Sequence, residues 1–578
     1  MSDALPSSAT LSADPIAMEV FANRLLSITE EMGNVLIRAS FSTNIKERKD
    51  CSVGMFDVHG RCIAQAAHMP MHLGSLIGAV VTVLERYKLE QMQEGDAFIC
   101  NDVFLARGTH QPDINIITPI FCDGQVKFFA ANTGHHSDVG GPNPGSMSQS
   151  AKNIFEEGIR IPVMRIVRAG ELDVDLLEMV AHNSREPAER ILDLRAQIAV
   201  NERGAELMKR LVATDGIAAV EAAIDALMAY TNRRLRARIA ALPDGTYSGE
   251  RWMDGDGVPG GEALRLRATA VIKGDDLLLD FAGSGPQARG ALNIAPNALE
   301  ATCYYAVKAL LDPDLPANSG LFSAIRISAP EGTITNPRFP AATAARAISC
   351  NRLSGAIFDA FGKLLPPEKR MAHSHDSVPA LLVSGQRRTG TYVYIETIGG
   401  GAGARFGADG AEAVQMHVTN SSNLPAEALE IEYPLLVDEY GLVPDSGGAG
   451  RWRGGLGIAR QLSSRVDGSL LTARGEGHVK VALGLDGGKE GGNARPRLAP
   501  GTGQESELPT ATTAMRMTMG LAVRMETPGG GGFGDPAARE AQALAADILD
   551  GKVLRASAER DYGKAAVEAA LASFKEGA

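Results

Sequence analysis

The chain has 578 residues, 44% hydrophobic and 22% charged, with a formal net charge of −12 and a pI near 5.5. That length exceeds one simple core and implies two or three packed regions in an ordinary soluble globular protein. The acidic balance argues against nucleic acid as a main partner, and no apolar run reaches the roughly 18 residues of a membrane helix.

The N-terminal stretch "MSDALPSSATLSADP" has no basic region leading into an apolar one. No signal peptide is read there, and a cytoplasmic protein is expected. The six cysteines, Cys51, Cys62, Cys100, Cys122, Cys303 and Cys350, form no Cys-x-x-Cys pair. That removes a thiolate zinc ribbon and a thioredoxin-like dithiol, and leaves reduced thiols. Nothing local activates Cys51 or Cys350, which read as buried.

In chain order, Asp14 and Pro15 open a helix that runs to about Ala39, with Val20, Leu25, Ile28, Met32 and Val35 roughly at helical spacing. "ERKDCSVGMFDVHGRCIAQ" reads as a β-hairpin turning at His59-Gly60, and "GSLIGAVVTVLERY" as a helix. "DAFICNDVF", "INIITPIF" and "QVKFFAA" read as strands, and long helices follow from about 175 to 241. After Pro243, "LRLRATAVIKGDDLLLDFAGSG" reads as a β-meander; 300–311 and 352–364 look helical. Residues 390–534 are glycine-rich strand and loop, and "DPAAREAQALAADILDG" opens a helical tail. The class is α+β: an N-terminal helix and hairpin region, central helices and a glycine-rich β C-terminal half. Composition places regions at 1–242, 243–390, 391–535 and 536–578, the first carrying the candidate metal site.

Several of the 64 glycines cluster, in "TIGGGAGARFG", "DSGGAGRWRGGLG" and "TPGGGGFGDP". A phosphate loop needs converging N–H groups, usually with a lysine and a Ser/Thr. "GLDGGKE" is no such motif, and the formal G-x-G-x-x-G at 529–534 lies too near the C-terminus for a dinucleotide domain to follow. Tight turns and close backbone approach are the favoured reading, and no ATP site is expected in this chain.

"NTGHHSDVGG", residues 132–141, is a metal site, a catalytic base or a polar turn. What lies beside it decides. Asp123-Gly124 between alternating apolar runs signals a two-residue hairpin. Counting back from Cys122 facing Gln125, Asp113 faces Gly134 and His135 faces Pro112. "GTHQPDI" and "TGHHSDVG" then meet at the open end of the hairpin. One-step offsets put neighbours on opposite sheet faces, so Pro112 and Gly134 are expected to break the regularity. His110, Asp113 and His135 would supply two imidazoles and a carboxylate to a divalent metal, with positions left open as in catalytic sites. His136 and Asp138 either orient a ligand, carry protons or solvate the loop. His68 and His72 flank Pro70, which argues against a helical zinc pair and for a buried loop. His373 and His375, on one face of a strand, are a second metal candidate without a carboxylate partner.

The chain resembles the hydantoinase B/oxoprolinase family, the β-type subunit of ATP-dependent hydantoinases and lactamases, related to a subunit of acetone carboxylase. The resemblance rests on "SFSTNIKERKDCSVGMFD", "GDAFICNDVFLARGTHQPDINIITPIF", "ANTGHHSDVGG", "LPAEALEIEYPLLVDEYGLVPDSGGAGRWRGGLG" and "ETPGGGGFGDP", in family order over nearly the whole chain. It implies a divalent metal (zinc, manganese or iron) on His110, Asp113 and His135, joined by Asp50. It also implies a hetero-oligomer with a hydantoinase A-type subunit that uses the ATP and phosphorylates a cyclic amide. This chain then opens the ring with a metal-activated water, and His136 or Asp138 serves as base or proton shuttle. The alternative within the resemblance is a subunit of an ATP-dependent ketone carboxylase.

Overall fold

Asp14 accepts hydrogen bonds from the Ile16 and Ala17 N–H groups at 2.9 and 3.3 Å, and Pro15 takes the first helical position. Helix α1 (Pro15–Ala39) therefore starts where its cap and its fixed φ agree. The structure, a computed structural model, describes residues 14–576; the reading of residues 1–13 as free of a signal peptide lies outside them. The chain divides into two compact units. Among the described residues, one comprises 14–248, Arg267–Arg346 and Asn420–Ser422, the other Gly249–Leu266, Ala347–Thr419 and 423–576.

In the first unit α2 (Thr43–Lys46) precedes β1 (Cys51–Asp57) and β2 (Cys62–Gln65), followed by α3 (His72–Arg86). Next come β3 (Ala97–Cys100), β4 (Asp113–Cys122), β5 (Gln125–His135), β6 (Met164–Arg168) and β7 (Glu171–Leu172). These strands form one antiparallel sheet of order β2-β1-β5-β4-β3-β6-β7. Helices α4 (Val174–Ala181), α5 (Pro187–Asp215) and α6 (Ile217–Ala240) follow. Phe21, Leu25, Ile28, Met32 and Leu36 of α1 share a buried cluster with Val53, Met55, Phe128, Val200 and Met208. That periodic stripe is what fixes α1 against the sheet.

Alternation along β4 and β5 then divides the polar side chains. Asn132 of β5 donates to Asn201 and to the Gln197 carbonyl of α5, at 2.8 and 2.7 Å. Asn115 of β4, of the opposite parity, reaches Ser75 of α3 at 3.3 Å. The sheet therefore has an α5 face and an α3 face.

A second sheet comprises β8 (Gly245–Trp252), β9 (Arg265–Lys273), β10 (Asp276–Asp280) and β11 (Ile325–Ser328), in the order β11-β10-β9-β8. The pair β10–β11 is parallel and is connected through α7 (Pro296–Leu311) and α8 (Ser319–Phe322).

Helix α9 (Arg346–Gly362) carries the chain into the second unit. There β12 (Ala380–Arg387), β13 (Gly390–Thr397), α10 (Ala426–Glu432), β14 (Leu435–Leu442), β15 (Ile458–Ser464), β16 (Ser469–Arg474), β17 (Arg497–Leu498), β18 (Ser506–Glu507), β19 (Ala511–Met517) and β20 (Ala522–Glu526) build two sheets. Their orders are β13-β12-β16-β19 and β14-β15-β20-β17-β18. Leu381, Val383, Tyr392 and Tyr394 of the first join Leu435, Ile458, Leu462 and Val523 of the second in one buried cluster. The glycine-rich segments cross beside this core. A Cβ on Gly530 would lie 1.9 Å from the Ala402 carbonyl oxygen, so glycine there permits backbone-on-backbone contact. The tail forms α11 (Ala541–Leu549), α12 (Arg555–Tyr562) and α13 (Lys564–Glu576).

The mixed α+β class read from the sequence is the class observed. All six cysteines are buried free thiols. Among the described residues, no helix is long and apolar enough to cross a membrane.

Candidate metal centre

The hairpin β4–β5 turns at Asp123 and Gly124, both with positive φ (51° and 74°), as its turn type demands. Cys122 faces Gln125 and Phe121 faces Val126, as counted from the sequence. Ile120, however, faces Phe128, so Lys127 is an extra residue in β5 and the register shifts by one. The bulge corrects the expected pairing: Asp113 faces His135, and Ile114 faces Gly134. No irregularity at Pro112 or Gly134 is needed to turn the side chains. Directly paired residues share a face, here the α3 face.

His110, Asp113 and His135 each offer a ligand atom, all within 4.8 Å of one another, and all three residues are buried. His110 Nε2 lies 2.8 Å from Asp113 Oδ1, and its Nδ1 lies 3.1 Å from the Ala344 carbonyl oxygen. Asp113 Oδ2 accepts from the Thr109 hydroxyl at 3.0 Å and from Arg346 at 2.6 Å. Although burial works to raise it, His110, His72 and Arg346 hold the Asp113 carboxyl well below the usual carboxylate range. His135 Nδ1 lies 2.9 Å from Asn44 Nδ2, and its Nε2 lies 3.2 Å from Met147 Sδ. The rings of His110 and His135 tilt together at 5.0 Å.

These contacts test the fit of a cation. Burial pushes His110 down to about 4, and His135 well below its ordinary value, so both imidazoles are neutral near pH 7. A neutral ring carries one proton. The Ala344 carbonyl and the Asp113 carboxylate can both only accept, so the one proton serves Nδ1 or Nε2 of His110 but not both. A cation between Nε2 and the carboxylate would free the proton for the Ala344 carbonyl. The cluster could therefore hold a metal ion, with the first histidine already oriented by a backbone carbonyl.

Asp50 reaches the same face of the sheet. The His135 N–H donates to its carbonyl at 3.0 Å. Burial raises its carboxyl, against the pull of His72 and Arg48. Asp50 Oδ1 is buried without a hydrogen-bond partner and lies 3.5 Å from His72 Nε2, which is also 3.5 Å from Asp113 Oδ1.

Comparison with known proteins now bears on this geometry. Residues 14–536 match the hydantoinase B/oxoprolinase family. The chain belongs to that family. It is 34% identical to an uncharacterized protein of Methanocaldococcus jannaschii, over 95% of this chain and 96% of the relative. It is 30% identical to the B-type subunit of a putative D-/L-hydantoinase from a Pseudomonas species, over 95% of both. The 5-oxoprolinase of Dictyostelium discoideum is 31% identical over 91% of this chain, which spans only 41% of that longer relative. Among solved structures, the ATP-dependent caprolactamase of Pseudomonas jessenii superposes with a TM-score of 0.87 at 28% identity, covering 95% of this chain and 96% of that one. A nucleotide-free acetone carboxylase chain gives 0.88 at 21% identity, over 99% and 84%; that likeness concerns the fold.

Other sequence candidates of this hydantoinase B-type chain lie elsewhere. His136 follows His135 and so faces α5, where its Nε2 lies 2.9 Å from Gln197 Oε1. The Asp138 carboxylate accepts from the Gly140, Gly145 and Arg185 N–H groups and from the Arg185 guanidinium, between 2.7 and 3.1 Å. It organises the loop after β5 and does not join the His/Asp cluster. His373 and His375 lie in a loop, correcting the strand expected there. His373 pairs with Asp359 at 3.1 Å and His375 lies 3.3 Å from the Val414 carbonyl, so they diverge. Among the described residues, His110, Asp113 and His135 are the one group of three or more such side chains placed to share an ion.

Sequence reasoning missed His72, Arg346 and Asn44. His72 opens α3 two residues after Pro70, so it is the first helical residue and not half of a helical pair. Arg346 stands 233 positions from Asp113 and Asn44 stands 91 from His135. No local pattern marks either. A cue for His72 was available: a histidine at a helix start beside buried methionines needs a polar partner.

Proposed function

We propose that this chain is the ring-opening subunit of an ATP-dependent cyclic-amide hydrolase, acting in the cytoplasm with a hydantoinase A-type partner that uses the ATP. The observation that carries the reading is the convergence of the buried His110, Asp113 and His135, whose ligand atoms all lie within 4.8 Å of one another. The names of its relatives, a hydantoinase subunit and an ATP-dependent caprolactamase, support the substrate class.

A divalent ion suited to two imidazoles and a carboxylate, such as zinc, manganese or iron, would supply Lewis acidity and make hydroxide available near neutral pH. His110, Asp113 and His135 would hold it, with Asp50 beside them. This chain's own residues do the rest. The Ala344 carbonyl orients the His110 ring, Asn44 holds the His135 ring, and Arg346 and Thr109 keep Asp113 ionised and aimed. Burial of the cluster excludes bulk water and strengthens each of these contacts. His136 and Asp138 act in this reading by holding the segment that carries His135. An unactivated amide is a poor electrophile. Phosphorylation of its oxygen by the partner gives a carbon that water can attack; the C–N bond then opens as the ring nitrogen takes a proton, and a second water releases phosphate from the acyl phosphate that remains.

The test joins two measurements. Metal content is determined by mass spectrometry on the wild type and on His135→Ala, checked for folding. The expected result is about one ion per chain, lost in the variant. Ring opening of cyclic amides is then assayed with the partner and ATP, with and without bicarbonate. ADP release coupled to ring-opened product and indifferent to bicarbonate supports the proposal. ATP turnover that requires bicarbonate and a ketone would instead make the chain a carboxylase subunit.

A further inference from the structure

Glu157 is a buried carboxylate outside the His/Asp cluster, with 1% of its surface exposed. Its Oε1 accepts from the backbone N–H groups of Thr343 at 2.6 Å and Ala344 at 2.7 Å, and its Oε2 faces the Thr343 hydroxyl at 3.4 Å. The loop that carries it is tied to the same segment by two backbone links. Ile154 N–H donates to the Pro340 carbonyl at 2.8 Å, and Asn153 bridges Ala341. Glu157 N–H in turn donates to the Ile154 carbonyl at 3.2 Å.

The clamped segment reaches the cluster twice. Ala344 gives its N–H to Glu157 and presents its carbonyl oxygen to His110 Nδ1 at 3.1 Å. Two residues on, Arg346 donates to Asp113 Oδ2 and to the Thr109 hydroxyl at 2.6 and 2.9 Å. Burial alone makes a carboxylate expensive at this position and pushes Glu157 up to about 8, against the pull of the two N–H groups and Arg346. An uncharged side chain would bury more easily. What its carboxyl supplies is a single oxygen, Oε1, that takes two neighbouring N–H groups at 2.6 and 2.7 Å.

We infer that Glu157 is a positioning residue for the cluster: by clamping Thr343 and Ala344 it fixes the carbonyl that meets His110 Nδ1 and the approach of Arg346 to Asp113. The inference rests on the proposed ion-binding reading of His110, Asp113 and His135. Outer partners of ligating histidines typically change metal affinity by about 10–100-fold.

The test uses the full-length chain and Co²⁺ as probe, with affinity from competition against a chelating dye and geometry from the visible spectrum of the bound ion. Glu157→Ala is expected to weaken Co²⁺ binding by about 10–100-fold and to shift the spectrum. Glu157→Gln, whose amide oxygen can still accept both N–H groups, is expected to restore both toward wild type. Glu157→Asp keeps the carboxyl but falls one methylene short. It is expected to weaken binding, and it carries the test if the alanine variant does not fold. Wild-type affinity and spectrum in the alanine or aspartate variant would overturn the inference and leave the ion-binding reading standing. A wild type that takes up no Co²⁺ would overturn that reading and this inference together.

Discussion

Each unit buries a His–Asp contact of nearly the same length, and the two contacts differ in what surrounds them. In the second unit His417 Nε2 lies 2.7 Å from Asp376 Oδ1, and Arg251 donates to Asp376 Oδ2 at 3.0 Å. Phe358 packs edge-on against the His417 ring at 5.0 Å. One carboxylate there takes Arg251 on one oxygen and His417 on the other, and an aromatic ring packs on that histidine. In the first unit Asp113 meets His110 and His72, His135 stands opposite on β5, and a second carboxylate, Asp50, faces His72. The first unit thus gathers three histidines and two carboxylates. The pair alone does not distinguish a structural ion pair from a cation site; the set of ligand groups around it does.

The largest effect that would sharpen this contrast is Asp113→Asn. It removes the carboxylate common to the cluster, and bound divalent metal is expected to fall from about one per chain to none by elemental analysis. Ring-opening turnover should fall by more than the roughly 100-fold seen for outer partners. Retained metal in a folded variant would break the contrast. Asp376→Asn should do the reverse. Arg251 would keep Asp359 but lose the buried Asp376 carboxylate, and urea unfolding should show a loss of about 1–3 kcal/mol with metal content unchanged.

The same aspartate predicts a pH dependence. Burial works to raise the Asp376 carboxyl, yet His417 and Arg251 together depress it below its ordinary value. A depressed carboxyl contributes stability above its unfolded pKa of about 3.9, and that contribution is lost as pH falls toward the folded value. Wild-type stability should therefore decline below about pH 4, and Asp376→Asn should flatten that decline in unfolding curves taken across the acid range. A smaller change is expected for His72→Ala, a Co²⁺ affinity weaker by about 10–100-fold at unchanged fold. Unaltered affinity would confine His72 to packing. The smallest belongs to His373→Ala. Its pairing with Asp359 is partly exposed, so unfolding should shift by less than about 1 kcal/mol, and metal content should not move.

Much of this site is legible in one local stretch. Asp-Gly at 123–124 fixes a hairpin, and a hairpin alone brings Asp113 and His135 to one end. The residue count falls one short because nothing in "QVKFF" marks Lys127 as a bulge. A bulge arises from how β5 accommodates its neighbours on both sides, β1 as well as β4. Asp50 is implied only by family resemblance, and the structure places it beside β5 because Cys51 pairs with Gly134. His373 and His375 show the opposite failure, since their alternation suggests a strand where the chain forms a loop.

What the sequence by itself determined is local: the capped start of α1, the amphipathic helices, the turn glycines and the hairpin that gathers His110, Asp113 and His135. These depend on propensity and periodicity over a few residues. Only the tertiary structure decided which histidine of "HMPMH" joins them, which arginine neutralises Asp113, and which carbonyl meets His110 Nδ1. Those partners come from segments far apart in the chain, and what brings them together is apolar packing of the sheet and its helices, which carries no signature in the residues that end up touching.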